Sequence, residues 1–298
     1  MSTTAVLGEP AFQFAEECDR GALRKENQDA VLHARVDLGD LLIVADGVGE
    51  YKGGTIASQM AVDTIYEYLA QQPLGCPPDR AIREAALLAN SKILSVARAP
   101  ESARLRMGSS VVIALLQQDS DGSRVWIGHV GNSRAYLFRA GRLHRLTVDH
   151  SAAQALLNRN LITPEEAKEH PDAGVPTRNL GQQAEVEIDI EPHILAVDDT
   201  VLLCSRGVWS SVAEHEIERT VTDTTLSLEI AAFKLLESAA LAGSHDNIGI
   251  EMARLAAPKT IIQPRRDSYI VLRIIIVLFL LSGAALATLV YLTFFKQY

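Results

Sequence analysis

The 298-residue sequence is 48% hydrophobic and 22% charged; it holds apolar material for a sizeable core and is neither a disordered tail, a collagen-like repeat nor a disulfide-stapled miniprotein. Its net charge of −9, from 28 basic against 37 acidic residues, conceals a split: the residues from Lys259 onward carry +4 and the 258 before them −13. A body that acidic offers no basic face to phosphate backbones, so no nucleic-acid partner is expected.

In chain order, short apolar runs predict strands at 12–17, 31–36 and 41–45, followed by helical spacing at 55–69 and 79–97. Strands return at 110–116, 125–130 and 135–138, the last opening a hairpin whose turn lies at Arg139, Ala140 and Gly141. Thr163-Pro164-Glu165-Glu166 combines a capping box with proline at the first helical position, so a short helix starts there. Strands at 186–190 and 201–204, a helix at 226–241 and a strand at 248–253 close the body. Helices before and after a crowd of strands indicate an α+β layered fold. Cys18, Cys76 and Cys204 are widely spaced, with no CxxC pair, so neither a zinc site nor a disulfide framework is indicated; they read as ordinary thiols of a reducing compartment. The eight histidines include no HExxH pair, and His129, His144 and His150 read as strand, turn or surface residues. Trp209 reads as a core or pocket-wall aromatic.

The run 274–295 is 22 residues without a charge. As a helix it would reach roughly 33 Å, enough for a hydrocarbon core of about 30 Å. Tyr291 and Arg273 near its ends resemble interface anchors, and more positive charge precedes the run than follows it. The expected organisation is therefore a globular domain over 1–257, a tether over 258–272, a transmembrane helix over 273–295 and a short tail over 296–298. The expected location is a single-pass membrane protein, anchored in the lipid bilayer at its C-terminal end, with the large N-terminal domain in the cytoplasm.

Several aspartates sit where strands meet glycines. Residues 41–45 run into Asp46-Gly47-Val48-Gly49, Asp29 closes Arg24-Lys25-Glu26-Asn27-Gln28-Asp29 just before a strand, and Asp246-Asn247 follows Gly243-Ser244 before another. Carboxylates at strand ends, beside glycines that let carbonyl groups approach, suit hard cations such as Mg²⁺ or Mn²⁺. Any one of these dipeptides alone is an ordinary turn; their order is informative. Together with Met107-Gly108-Ser109-Ser110, His129-Val130-Gly131-Asn132-Ser133-Arg134, Leu146-Thr147-Val148-Asp149-His150-Ser151 and Ser205-Arg206-Gly207-Val208-Trp209, the set resembles the metal-dependent protein phosphatases (PPM, type 2C serine/threonine phosphatases) over roughly residues 10–256. Residues 161–167 and 177–181 look like the flap of the bacterial branch and the segment after it.

The resemblance implies an αββα four-layer sandwich of two antiparallel sheets flanked by helices, with a transmembrane helix appended here. It implies hydrolysis of phosphoserine and phosphothreonine in cytoplasmic proteins. It implies Mn²⁺ or Mg²⁺ held by Asp29, Asp46, the Gly47 carbonyl and Asp246, with Asp46 bridging two ions and Arg24 binding the phosphate. Three positions depart from the family pattern: Glu50 replaces the last glycine of its DGxGG run and puts a charged side chain beside the pocket, and two further acids that in the family help hold a third, accessory metal are also replaced. Those acids are here Arg206 and Asn132, a gain of three positive charge units beside a pocket built for cations. The guanidinium of Arg206 is expected to stand among Asp46, Asp246 and Asp29 as a counter-ion, impairing catalysis. The alternative is a catalytically inactive pseudophosphatase that binds or scaffolds phosphoproteins.

Overall fold

The computed structural model describes residues 4–7, 11–102, 106–223, 225–257, 260–263, 273–283, 286 and 292–293. They fall into two compact units, one made of residues 11–256 and the other of residues 1–10 with 257–298.

The larger unit holds two five-stranded antiparallel sheets. One runs in the order β2 (Ala11–Asp19), β11 (Ile248–Ala256), β10 (Thr200–Cys204), β7 (Arg134–Arg139), β8 (Arg142–Arg145); the other runs β3 (Asp29–Val36), β4 (Gly39–Val48), β5 (Gly108–Asp119), β6 (Gly122–Val130), β9 (Asp189–Leu195). Continuous apolar runs in the inner strands, whose successive side chains point to opposite faces, give each sheet two apolar faces, and both are covered. Leu42, Val44, Val112 and Ala114 of one sheet meet Leu203, Ala253 and Leu255 of the other between the layers. The opposite face of β4 and β5 (Ile43, Ile113) packs under α1 (Gly53–Ala70) and α2 (Pro78–Arg98) through Ile65, Leu69, Ile82 and Ile93. Leu202, Ile250 and Met252 pack under α6 (Glu214–Thr222) and α7 (Leu228–Leu241). The result is the expected order of helices, sheet, sheet, helices.

Local signals act where they were read. Ala140 and Gly141 take positive φ of 51° and 78°, the left-handed pair that a two-residue hairpin turn needs between β7 and β8. The Thr163 hydroxyl accepts from the Glu166 N–H at 3.2 Å and the Glu166 carboxylate accepts from the Thr163 N–H at 2.7 Å, capping α4 (Pro164–Glu169). Three short helices, α3 (Ala152–Asn158), α5 (Arg206–Trp209) and α6, fall in segments without predicted structure, and the strand expected at 186–190 is displaced to β9. That strand is an edge paired only to β6, and it carries Pro192, so its alternation is weak.

In the smaller unit, β1 (Thr4–Leu7) pairs antiparallel with β12 (Thr260–Gln263), so residues 260–263 of the expected tether form a strand. The remaining tether residues 258, 259 and 264–272, like the tail 296–298, lie outside the described residues. The expected single-pass membrane location is corrected: among the described residues no helix is long and apolar enough to cross a membrane. The helical stretch at 273–283 extends about 16 Å, roughly half of a hydrocarbon core. Of the remainder of the 274–295 run, only residues 286, 292 and 293 are described.

Candidate active site

Three aspartates converge on one edge of the sandwich. Asp29 opens β3 and is the register partner of Asp46 on β4, so the hairpin sets two carboxylates side by side. Asp246 is carried by the turn before β11. Asn247 fastens that turn: its amide donates to the Arg20 and Glu26 carbonyls at 2.7 and 2.9 Å, and its oxygen accepts from the Gln28 N–H at 2.9 Å. Gly47 has to lack a side chain. A Cβ there would lie 2.1 Å from the Gly54 carbonyl oxygen and 2.6 Å from that of Gln28, so the strand after Asp46 slips beneath the first turn of α1 only as glycine. Ser109 supports the same strand, its hydroxyl donating to the Asp46 carbonyl at 3.2 Å.

The carboxylates are short of positive charge. Asp29 is buried, and its Oδ2 has no hydrogen-bond partner among the described residues. Burial, then the charge of Asp46, holds the Asp29 carboxyl well above the usual range. Burial also lifts Asp46 to about 6, opposed by the charge and backbone N–H of Arg206. An orphaned carboxylate oxygen beside a second carboxylate fits a cation, so Asp29 and Asp46 suit a divalent ion.

Asp246 is different, because both of its oxygens are taken. Arg206 Nη2 lies 2.7 Å from Oδ2, and Arg24 Nη2 lies 2.5 Å from Oδ1 while Arg24 Nε donates to the His245 carbonyl at 2.7 Å. As arranged, this side of the pocket is neutralised by two guanidinium groups and does not fit a further ion. The site residues read from the sequence thus lie together, but Arg24 is turned into the acids, and Arg206 stands as counter-ion to Asp246. Asn132 is buried, its backbone carbonyl accepting from Trp209 Nε1 at 2.9 Å. Trp209 packs, partly buried, against the core under α6 and α7, and the Arg134 guanidinium lies 3.6 Å above its ring.

Among the described residues, the one trio of His, Cys, Asp or Glu side chains with ligating atoms all within 4.8 Å is His129, His150 and Asp189. It is a structural network. His150 Nδ1 accepts from the Gly131 N–H at 3.0 Å, leaving the proton on Nε2, which faces Asp189 Oδ2 at 3.2 Å. His129 Nε2 is committed to the Val148 carbonyl at 3.0 Å, and the Arg178 guanidinium already pairs with Asp189 at 3.0 Å. Burial and the neighbouring His129 lower His150 to about 4, so it is neutral.

Two residues of the site escaped the sequence reading. Ser205, read from the sequence only as part of the Ser205-Arg206-Gly207 run, accepts from the Gly249 N–H at 2.9 Å and donates to the Asn247 carbonyl at 3.4 Å, tying the Arg206 turn to the start of β11. Gly174, in the segment after α4, lies against Arg206, and nothing in its neighbourhood marked it.

A family model for protein phosphatase 2C matches residues 23–234. The chain is 32% identical over 259 residues to the serine/threonine phosphatase stp of Listeria innocua, covering 84% of this chain and 97% of that one. Among solved structures, the serine/threonine phosphatase Stp1 of Staphylococcus aureus superposes with a TM-score of 0.76 at 26% identity, covering 86% of this chain and 100% of that one. The catalytic domain of the serine/threonine protein phosphatase PstP, in complex with 2 manganese ions, superposes with a TM-score of 0.71 at 28% identity, covering 82% and 98%.

Proposed function

The chain belongs to the protein phosphatase 2C family, and from that premise we propose that it is a serine/threonine protein phosphatase of the class that acts on phosphoserine and phosphothreonine in proteins, with a metal centre weakened by Arg206. Asp29, Asp46 and the Gly47 carbonyl would hold its cofactor, manganese or magnesium. When bound, such an ion would lower the pKa of a water and offset charge on the phosphoryl oxygens. The protein's own contribution is positional. Arg24 is half-exposed at the mouth of the pocket, and its planar fork suits two phosphoryl oxygens once it leaves Asp246. Asp46, anchored by Gly47 and Ser109, presents its carboxylate toward the same space.

The observation that carries the proposal is the 2.7 Å pair between Arg206 and Asp246. A guanidinium there satisfies a carboxylate that would otherwise ligate metal. Bringing a divalent ion beside it costs repulsion of about 4 kcal/mol per pair of unit charges at 4 Å and an effective dielectric of 20. The test is hydrolysis of a phosphothreonine peptide and calorimetric Mn²⁺ binding by the full chain, compared with Arg206→Asp alone and with Asn132→Asp. The parent is expected to need high Mn²⁺ and turn over slowly. The variants should gain at least about tenfold in Mn²⁺ affinity, with the rate following. Unchanged Mn²⁺ affinity in both variants would refute the account of the pocket. A parent with no turnover at saturating Mn²⁺, restored by the double variant, would favour the pseudophosphatase reading instead.

A further inference from the structure

Two of the departures from the family pattern, Asn132 and Arg206, are 74 positions apart in sequence yet act on one residue. The Asn132 side-chain N–H donates to the Gly174 carbonyl at 3.0 Å. On the other side, Arg206 lies over the Gly174 α-carbon, so closely that a Cβ there would stand 2.5 Å from Nη1 and 3.3 Å from Cδ and Cζ. Gly174 belongs to the segment between α4 and the point where the chain rejoins the body, at the Thr177 N–H bond to the His150 carbonyl (2.7 Å). Both grips are anchored in rigid parts of the sandwich. Arg206 holds Asp246 at 2.7 Å, and the Asn132 backbone is tied to Trp209, which lies under Arg134.

We propose that Asn132 and Arg206 form a metal-free latch that fastens the flap segment, at Gly174, to the wall of the acidic pocket. The chemistry of the two side chains supports this and excludes an ion in the same place. An amide N–H₂ and a guanidinium are donors, and the groups they face, the Gly174 carbonyl and the Asp246 carboxylate, are acceptors. Aspartate at position 132 would set a carboxylate oxygen against a carbonyl oxygen with no proton between them. Aspartate at 206 would do the same to Asp246. With acids at both positions, only an added cation could bring these oxygens together; with Asn132 and Arg206, the protein supplies the positive end itself. Gly174 completes the fit, since any side chain there would displace the guanidinium. Asn132 and Arg206 are therefore positioning residues for the flap, whose placement is independent of metal in this protein.

The test is amide hydrogen exchange of the full chain in EDTA, read by mass spectrometry on peptides covering residues 170–177. This segment closes two local turns, Ala173 N–H to the His170 carbonyl and Val175 N–H to the Asp172 carbonyl, at 2.9 and 3.1 Å. The parent should exchange slowly there, and added Mn²⁺ should not slow it further. Asn132→Asp and Arg206→Ala should each speed exchange about fivefold to tenfold, the loss expected for one hydrogen bond or its equivalent, while peptides from β4 and β5 stay unchanged. Gly174→Ala leaves Asn132 and Arg206 themselves unchanged but pushes the guanidinium off the segment, and should speed exchange in the same peptides, which covers the case in which a pocket variant folds poorly. The same rate in the parent and all three variants would overturn the proposal. So would a parent whose segment becomes protected only when Mn²⁺ is added. Because no turnover is measured, failure here is distinguishable from failure of the phosphatase assignment.

Discussion

Glu251 gives the sharpest test of the energetics, because it is an acid where the fold has no use for one. It lies on β11 between the two sheets, fully buried, with neither carboxylate oxygen hydrogen-bonded, opposite Glu16 of β2. Burial, reinforced by the Glu16 charge, raises it to about 9, so it is protonated in the folded protein at neutral pH and ionised in the unfolded chain. The folded state thus holds the extra proton between the ordinary carboxyl value and about 9, and stability falls as pH rises through that window. At about 1.4 kcal/mol per pH unit, the loss between pH 4.5 and 7 amounts to about 3 kcal/mol. Glu251→Gln keeps the shape and abolishes the titration. Urea unfolding of the full chain in EDTA at pH 5, 6, 7 and 8 should show the variant gaining on the parent by about 1.4 kcal/mol per unit, whatever fixed cost the buried amide adds. Other acids with raised values, Asp29 and Asp46 among them, titrate alike in both proteins and cancel in the difference. Parallel stability curves for parent and variant would refute the assignment of a buried, proton-bearing Glu251.

Three further outcomes follow from other parts of the structure. Asp149→Ala removes the nearest ionic partner of Arg134, a nearly buried pair with contacts of 2.6 to 3.2 Å; a guanidinium left with the Tyr136 hydroxyl at 3.1 Å and the more exposed Glu214 at 3.9 Å should cost about 3 kcal/mol in denaturant unfolding, and a loss below 1 kcal/mol would show the pair to be dispensable. Gly47→Ala forces a Cβ to within 2.1 Å of the Gly54 carbonyl; it should lower the melting temperature and Mn²⁺ affinity together, and a variant with both unchanged would contradict the close passage under α1. Thr163→Ala deletes the capping box of α4, worth about 1 kcal/mol; exchange at 163–169 should rise about fivefold with little change in global melting, and an equal rise across β4 would mean that the flap and the sandwich open as one unit.

Much of the fold was legible because its signals are local. The apolar runs at 41–45 and 110–116, the left-handed turn at Ala140 and Gly141, and the Thr163 capping box each depend on neighbours a few residues away. So does the placing of aspartates at strand ends, and their order along the chain carried the family assignment. Segments with few apolar positions were harder. Helix α6 buries only Ile217 and Val221, too little periodicity to stand out, and the edge strand β9 pairs along one side alone. The apolar run at 274–295 shows the opposite failure: hydropathy states what a segment avoids, whereas crossing a bilayer also requires continuous helix, and none of sufficient length lies among the described residues.

The residue identities at 132 and 206 could be read directly, along with the excess positive charge they bring. Their partners could not. Arg206 had three aspartates and the solvent open to it, and only the packed turn before β11, together with a glycine from the flap, turned it toward Asp246 and Gly174. Arg24 likewise could reach outward for phosphate or inward for Asp246, which lies 222 positions away. A side chain on several rotatable bonds takes its direction from whatever the folded backbone brings within reach, and those neighbours come from segments that share no local pattern.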